Sequence, residues 1–290
     1  MDNRRVAVDH YENFPVASWL CPAALRPAVE AIYVFARTAD DIADEGDAAP
    51  ADRLLALAAY RDDLATTASG QAGSSRWPQV FGRLSVAIQR HRLPIDQLSA
   101  LLDAFAQDVT VSRYADRPAL LDYCRRSANP VGRLLLHLYG IDGAEALARS
   151  DAICTALQLA NFWQDLGVDT RRGRLYVPVA DCRRHGVDPD ALLAGRDGAA
   201  VHALVRELVG WSREMMRLGA PLAHTIPGRA GWELRLVVQG GLRILERIDR
   251  IDGATLRERP TLGAADAPRI AWRALRMGRV AAPADRARVA

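Results

Sequence analysis

The chain has 290 residues, half of them hydrophobic and a quarter charged, with a net charge of +3. It is long enough to bury a sizeable core, and so small a basic surplus, with acids interspersed among the arginines, argues against a nucleic-acid partner. There is no apolar run near the ~18 residues of a membrane span and no apolar core of a secretory signal in MDNRRVAVDHYENF, so a cytoplasmic protein is expected. Cys21, Cys124, Cys154 and Cys182 lie far apart with no CxxC spacing, which predicts core or surface thiols in a reducing compartment.

After a short partly apolar lead (13–20) and Pro22, a helix is predicted from about Ala24 to Glu45, with Pro27 in its first turn and Gly46 as the stop. Helical apolar spacing continues over 51–68, followed by a Gly/Ser-rich loop to Trp77 and two helices over 80–91 and 95–109. Pro118 opens the next helix, interrupted at Asn129-Pro130, where a kink is predicted. One continuous helix is expected from Ala144 to about Asp169. An irregular stretch follows, then long helices over 199–218 and 229–251 and a last one over 268–277 before a frayed tail. There is no long run of alternating β-branched residues. The expectation is one all-α domain over 1–290, a helical bundle around a central cavity, with 268–290 as a peripheral helix and tail.

Two rows of acids carry the chemistry. In AIYVFARTADDIADEG, Tyr33, Arg37, Asp40 and Asp44 are spaced i, i+4, i+7, i+11 and form one stripe. The acids crowd a helix C-terminus, where the unpaired carbonyls already disfavour negative charge. Asp40 and Asp44 also repel each other at i, i+4. An outside cation would repay both costs. A second stripe, Gln158, Asn161, Asp165 and Asp169, lies about 125 residues later. One DxxxD row is more often a solvated face. Two, each with polar partners in register on an apolar helix, favour a site. Oxygen-only ligands suit Mg²⁺ shared with a diphosphate, and Arg37, Arg171, Arg172 and Arg174 are placed to take further phosphate oxygens. Phe14, Tyr33, Tyr123, Phe162, Trp163 and Tyr176 supply aromatic faces that would shelter a carbocation, although taken singly they read as core. His137 is assigned to structure.

These motifs resemble the squalene/phytoene synthase family of head-to-head isoprenoid synthases. The resemblance is carried by ARTADDIADE, LQLANFWQD and GVDTRRGRLYVP, and the opening HYENFPVASWLCP looks most like the hydroxysqualene synthase branch of hopanoid biosynthesis. It implies the α-helical isoprenoid-synthase fold and two or three Mg²⁺ ions, with no NADPH. It also implies presqualene diphosphate as substrate, supplied by a presqualene diphosphate synthase. Asp40, Asp44, Asn161, Asp165 and Asp169 match metal positions, and Tyr33, Arg37, Tyr123 and Tyr176 match catalytic and cavity positions. Phe14, Arg37, Gln158, Asn161, Phe162, Arg171 and Arg174 are expected to contact substrate.

There are two departures. Gln164 stands where phytoene and dehydrosqualene synthases usually carry Arg, and Gly240-Gly241 stands where dehydrosqualene synthases place a Tyr. The Gly pair is read as making room for substrate or water. Condensation of two prenyl diphosphates, to presqualene diphosphate, squalene or phytoene, needs the same stripes and stays open beside hydroxysqualene formation. A non-catalytic scaffold of the same fold is the alternative of another class. RIAWRALRMGR at 269–279 is a candidate interfacial helix for peripheral membrane contact, against an ordinary packing helix.

Overall fold

The computed structural model describes residues 21–71 and 74–277. The lead with Phe14, most of the HYENFPVASWLCP motif and the tail beyond Met277 lie outside the described residues. Among those described the fold is all helical, and the one β-type contact is an isolated bridge between Arg113 and Leu175.

Helices α1 (Arg26–Asp44), α2 (Pro50–Ala68), α3 (Pro78–His91) and α4 (Ile95–Thr110) form a first packing group. Prolines sit at the first or second position of α1, α2 and α3, where a missing N–H costs nothing. Their shared core is aromatic: Phe35 stacks on Tyr60 at 5.1 Å, and the Tyr60 hydroxyl donates to the Phe35 carbonyl. Burying each such ring stabilises the group by about 1.5–3 kcal/mol.

Helices α5 (Arg117–Ser127) and α6 (Asn129–Leu138) replace the predicted kinked helix. They meet at Ala128, since Pro130 has no N–H to continue the ladder. Gly132 of α6 lets α7 (Ala144–Gln164) approach closely, because a Cβ there would lie 2.4 Å from the Ser150 hydroxyl. His137 has the structural role predicted for it, with Nε2 2.9 Å from the His91 carbonyl.

The helix predicted to run unbroken to Asp169 is divided at Asp165 into α7 and α8 (Leu166–Arg171). The stripe survives, because Asp165 N–H still donates to the Asn161 carbonyl and Asp169 N–H to the Asp165 carbonyl. Short helices α9 (Val179–Arg184) and α10 (Pro189–Leu193) follow, then α11 (Ala199–Gly219), the single turn α12 (Leu222–Thr225) and α13 (Gly228–Arg250). Helix α7 packs between α6, α11 and α13. The last helix, α14 (Ala267–Arg276), is pinned to α13 through Asp266, which accepts from Arg243 at 2.7 Å and Arg247 at 2.6 Å.

Gly241 does not make room for substrate or water. A Cβ there would lie 2.7 Å from Leu157 and 2.8 Å from Met216, so the glycine serves the close approach of α13 to α7 and α11. Gly240 faces Leu262, with a Cβ position 4.0 Å from its Cδ1.

Candidate active site

From Ile153 to Thr170 every side chain is buried except Gln158, Asn161, Asp165, Val168 and Asp169. A helix surrounded by protein on all other sides thus keeps one strip open, and that strip is the predicted polar stripe. On α1, Ala31, Ile32, Phe35, Ala39 and Ala43 face the core, while Tyr33, Arg37, Asp40 and Asp44 are half-buried on the remaining side. The two acid-bearing helices belong to different packing groups, and the site lies where these meet.

The segment after α8 joins them. Gly173, at φ +77°, turns the chain back, and Arg174 N–H donates to the Asp169 carbonyl at 2.9 Å. Leu175 N–H then bonds the Ser112 carbonyl and Val179 N–H the Tyr114 carbonyl, which fixes the strap across the end of α4. From that strap Arg174 reaches Asp44 Oδ1 at 2.5 Å and Arg172 reaches Asp44 Oδ2 at 2.9 Å. On the other stripe, Arg259 holds Asp165 through both oxygens at 2.5 and 3.0 Å. Arg37 pairs with Asp40 at 3.2 Å and Asp41 at 2.8 Å.

A further acid, absent from the predicted set, belongs to this centre. Asp108 on α4 accepts the Tyr123 hydroxyl at 2.8 Å through Oδ2, and its Oδ1 is buried with no hydrogen-bond partner among the described residues. Burial raises its pKa to about 7 against the Tyr123 bond and Arg174, with Asp40 and Asp44 adding repulsion. Asp169 is likewise raised to about 7, by burial first and then by Asp165.

The wall beside these acids is aromatic. Phe162 and Tyr176 stack at 3.9 Å with planes 6° apart, and Tyr123 and Tyr114 pack against Tyr176 at 6.1 and 5.8 Å. Tyr114 was not among the predicted site residues. Its hydroxyl accepts from Gln107, which in turn accepts from Arg126.

One of the two departures and one predicted contact have other partners. Gln164 is buried and donates to the Pro260 carbonyl at 2.7 Å, so it ties α7 to the chain after α13. Arg171 was expected at the diphosphate. It lines a small recess with Gln164, Thr255, Arg257 and the Arg259 that grips Asp165, and it does not share a helix face with Asp169, two residues before it. Arg172 takes the place on Asp44.

The residues present fit magnesium. The available donors are carboxylate and amide oxygens, guanidinium groups already occupy Asp44 and Asp165 as cations, and Asp108 keeps an unpartnered oxygen. Among the described residues no three acidic, histidine or cysteine side chains converge as one ion shell. An ion shared with a ligand's phosphates needs fewer protein ligands than that.

Residues 7–266 match the squalene/phytoene synthase family. The hydroxysqualene synthase of Sinorhizobium fredii is 33% identical over 258 residues, covering 88% of this chain and 85% of the relative. The phytoene synthase of Thermus thermophilus is 31% identical over 239 residues, covering 82% and 80%. The crystal structure of squalene synthase HpnC from Alicyclobacillus acidocaldarius superposes with a TM-score of 0.77 at 37% identity, covering 84% of this chain and 90% of that one.

Proposed function

The chain belongs to the squalene/phytoene synthase family, whose members are isoprenoid synthases, and from that premise we propose that it is a magnesium-dependent hydroxysqualene synthase. Its substrate in this reading is presqualene diphosphate, delivered by a presqualene diphosphate synthase. The product is hydroxysqualene for hopanoid biosynthesis, made without NADPH. The observation that carries the proposal is the meeting of Asp44, Asp108 and Asp169 around Arg174, directly beside the Tyr123–Phe162–Tyr176 wall.

Asp40, Asp44, Asn161, Asp165 and Asp169 would hold the metal, with the free oxygen of Asp108 beside them. The chemistry supplied by bound magnesium is charge neutralisation of the leaving diphosphate. Arg174 and Arg172 sit where they can pass from Asp44 to phosphate oxygens as the C–O bond breaks. The outer faces of the aromatic wall of Tyr123, Phe162 and Tyr176 would stabilise the resulting cation through its rearrangement and exclude bulk water. One admitted water then adds to the cation and loses a proton, giving the alcohol.

The similar identity to a phytoene synthase over most of the chain supports a second reading, condensation of two prenyl diphosphates. Purified protein with Mg²⁺, given presqualene diphosphate, farnesyl diphosphate or geranylgeranyl diphosphate separately, each with and without NADPH, decides between them by mass spectrometry. Hydroxysqualene from the first substrate alone is the expected result. Presqualene diphosphate, squalene or phytoene from prenyl diphosphates would transfer the assignment to the condensing step. In this reading the protein works on the cytoplasmic side, in peripheral contact with the membrane that dissolves its product.

A further inference from the structure

Helix α14 carries an exposed apolar row. Trp272 and Leu275 are 54% and 62% exposed. Pro268 and Ala271 are exposed on the same row, at i, i+3, i+4, i+7 spacing, while Ala274 turns into the protein. Arg269, Arg273 and Arg276 flank the row, and the helix has no acidic residue. Arg276 lies over the Trp272 ring, 4.2 Å from its centroid.

The helix is held rigidly enough to present this face in one orientation. Asp266, at its start, is clamped by Arg243, Arg247 and the Gly263 N–H. Along its length Arg273 and Arg269 reach Glu246 of α13. The inward side is therefore spent on packing and ion pairs, and the outward side is left to Trp272, Leu275 and Arg276.

We propose that this face docks on an anionic phospholipid bilayer. Tryptophan prefers the depth of the headgroups, leucine reaches the acyl boundary, and arginine stems snorkel so that the guanidinium meets phosphate. A second copy of the chain fits poorly, because two large apolar side chains fall far short of the ~800 Å² per partner of a stable interface. Charge complementarity favours lipid over a neutral surface as well. Residues 267–290 contain six arginines and one aspartate, a larger surplus than the net +3 of the whole chain. The proposal rests on surface chemistry and holds whichever family reaction the protein performs.

Flotation of the full chain with phosphatidylcholine vesicles, with and without phosphatidylglycerol, tests it. Binding is expected with the anionic vesicles and is expected to weaken in about 0.5 M salt, where the Debye length is only a few ångströms. Trp272→Ser with Leu275→Ser should lower partition at least about tenfold, the loss of roughly one buried apolar side chain. Arg276→Gln should lower it less, and Leu55→Ser, at an exposed apolar position on α2, should leave it unchanged. Diphosphate release from detergent-dispersed substrate should match wild type in all three variants, which separates docking from chemistry. Undiminished flotation of the double variant overturns the proposal. So does a concentration-dependent dimer that the double variant abolishes. Should the double variant misfold, salt and Arg276→Gln carry the test, and indifference to both overturns it.

Discussion

Tyr123 donates its hydroxyl to Asp108 at 2.8 Å, joining α5 to α4 beneath the aromatic wall. The pair is lopsided, because the other Asp108 oxygen is buried without a partner among the described residues. Tyr123→Phe leaves that carboxyl with neither oxygen satisfied, which costs about 1–3 kcal/mol. Asp108→Asn acts in the other direction on the fold, removing a charge that burial already disfavours. The metal-free variant should be at least as stable as wild type while turnover falls at least about tenfold, the exchange of activity for stability seen at strained sites. Thermal unfolding and diphosphate release from both variants check this, and equal destabilisation by both would contradict it.

The raised carboxyls make the metal-free protein sensitive to pH. Asp108 and Asp169 titrate near 7 in the folded chain and near 3.8 when unfolded. Between about pH 4 and 7 the folded state therefore holds protons that the unfolded state has released, and stability falls as pH rises through that window. Asp266 works oppositely: held below the usual range by Gly263, Arg247 and Arg243 despite its burial, it loses stability as pH drops through the acid range. Urea unfolding at pH 5 and 7.5 in EDTA should show wild type losing more stability on that rise than Asp169→Asn. Equal slopes would mean that Asp169 ionises normally.

Asp44 is gripped by Arg172 and Arg174 from a strap more than a hundred residues away. In the ligand-free protein these pairs offset carboxylate repulsion, and under the proposed function the same guanidinium groups would turn to phosphate. Arg174→Ala should therefore raise KM for the diphosphate substrate and lower kcat/KM by about 100-fold, the loss of a charge-assisted contact of roughly 3 kcal/mol. Arg171→Ala, in its recess away from Asp44, should stay within about threefold, as expected for an exposed position outside the contact. Steady-state kinetics on the two variants separates them, and equal losses would return Arg171 to the site.

Much of this was legible from residue order. Prolines at helix starts and Gly46 and Gly173 at stops gave most boundaries, because each has a local steric reason. The polar stripes were legible because Gln158, Asn161, Asp165 and Asp169 interrupt an otherwise apolar helix at helical spacing. Asp108 was missed, being a single acid with no acidic partner at i+4. Its signal was a position on the same face as buried Leu101 and Ala104. The division of the helix at Asp165 is marked in the sequence only by Gly167, and the contacts there, Arg259 on Asp165 and the Leu256 carbonyl against Gly167, come from far along the chain. The choice between Arg171 and Arg172 also turns on helix phase at a terminus, where composition is silent.

The Gly240-Gly241 pair makes the sharpest contrast between reading and structure. Both lie on α13, and the sequence offers no reason to treat them differently. Yet a Cβ on Gly241 would press on Leu157 and Met216 inside 3 Å, and one on Gly240 meets only Leu262 at 4.0 Å. Gly241→Tyr must push α13 off α7 and α11, at a cost of 3 kcal/mol or more for so large an overpacking, roughly the upper end for core insertions. Even Gly241→Ala should lower Tm, although alanine gains about 1 kcal/mol in helix propensity. Gly240→Ala should keep that gain and unfold at or above the wild-type temperature. Scanning calorimetry of the three variants checks the order. A folded Gly241→Tyr protein with wild-type Tm and altered product would restore the glycine as a cavity position and undo the packing assigned to it.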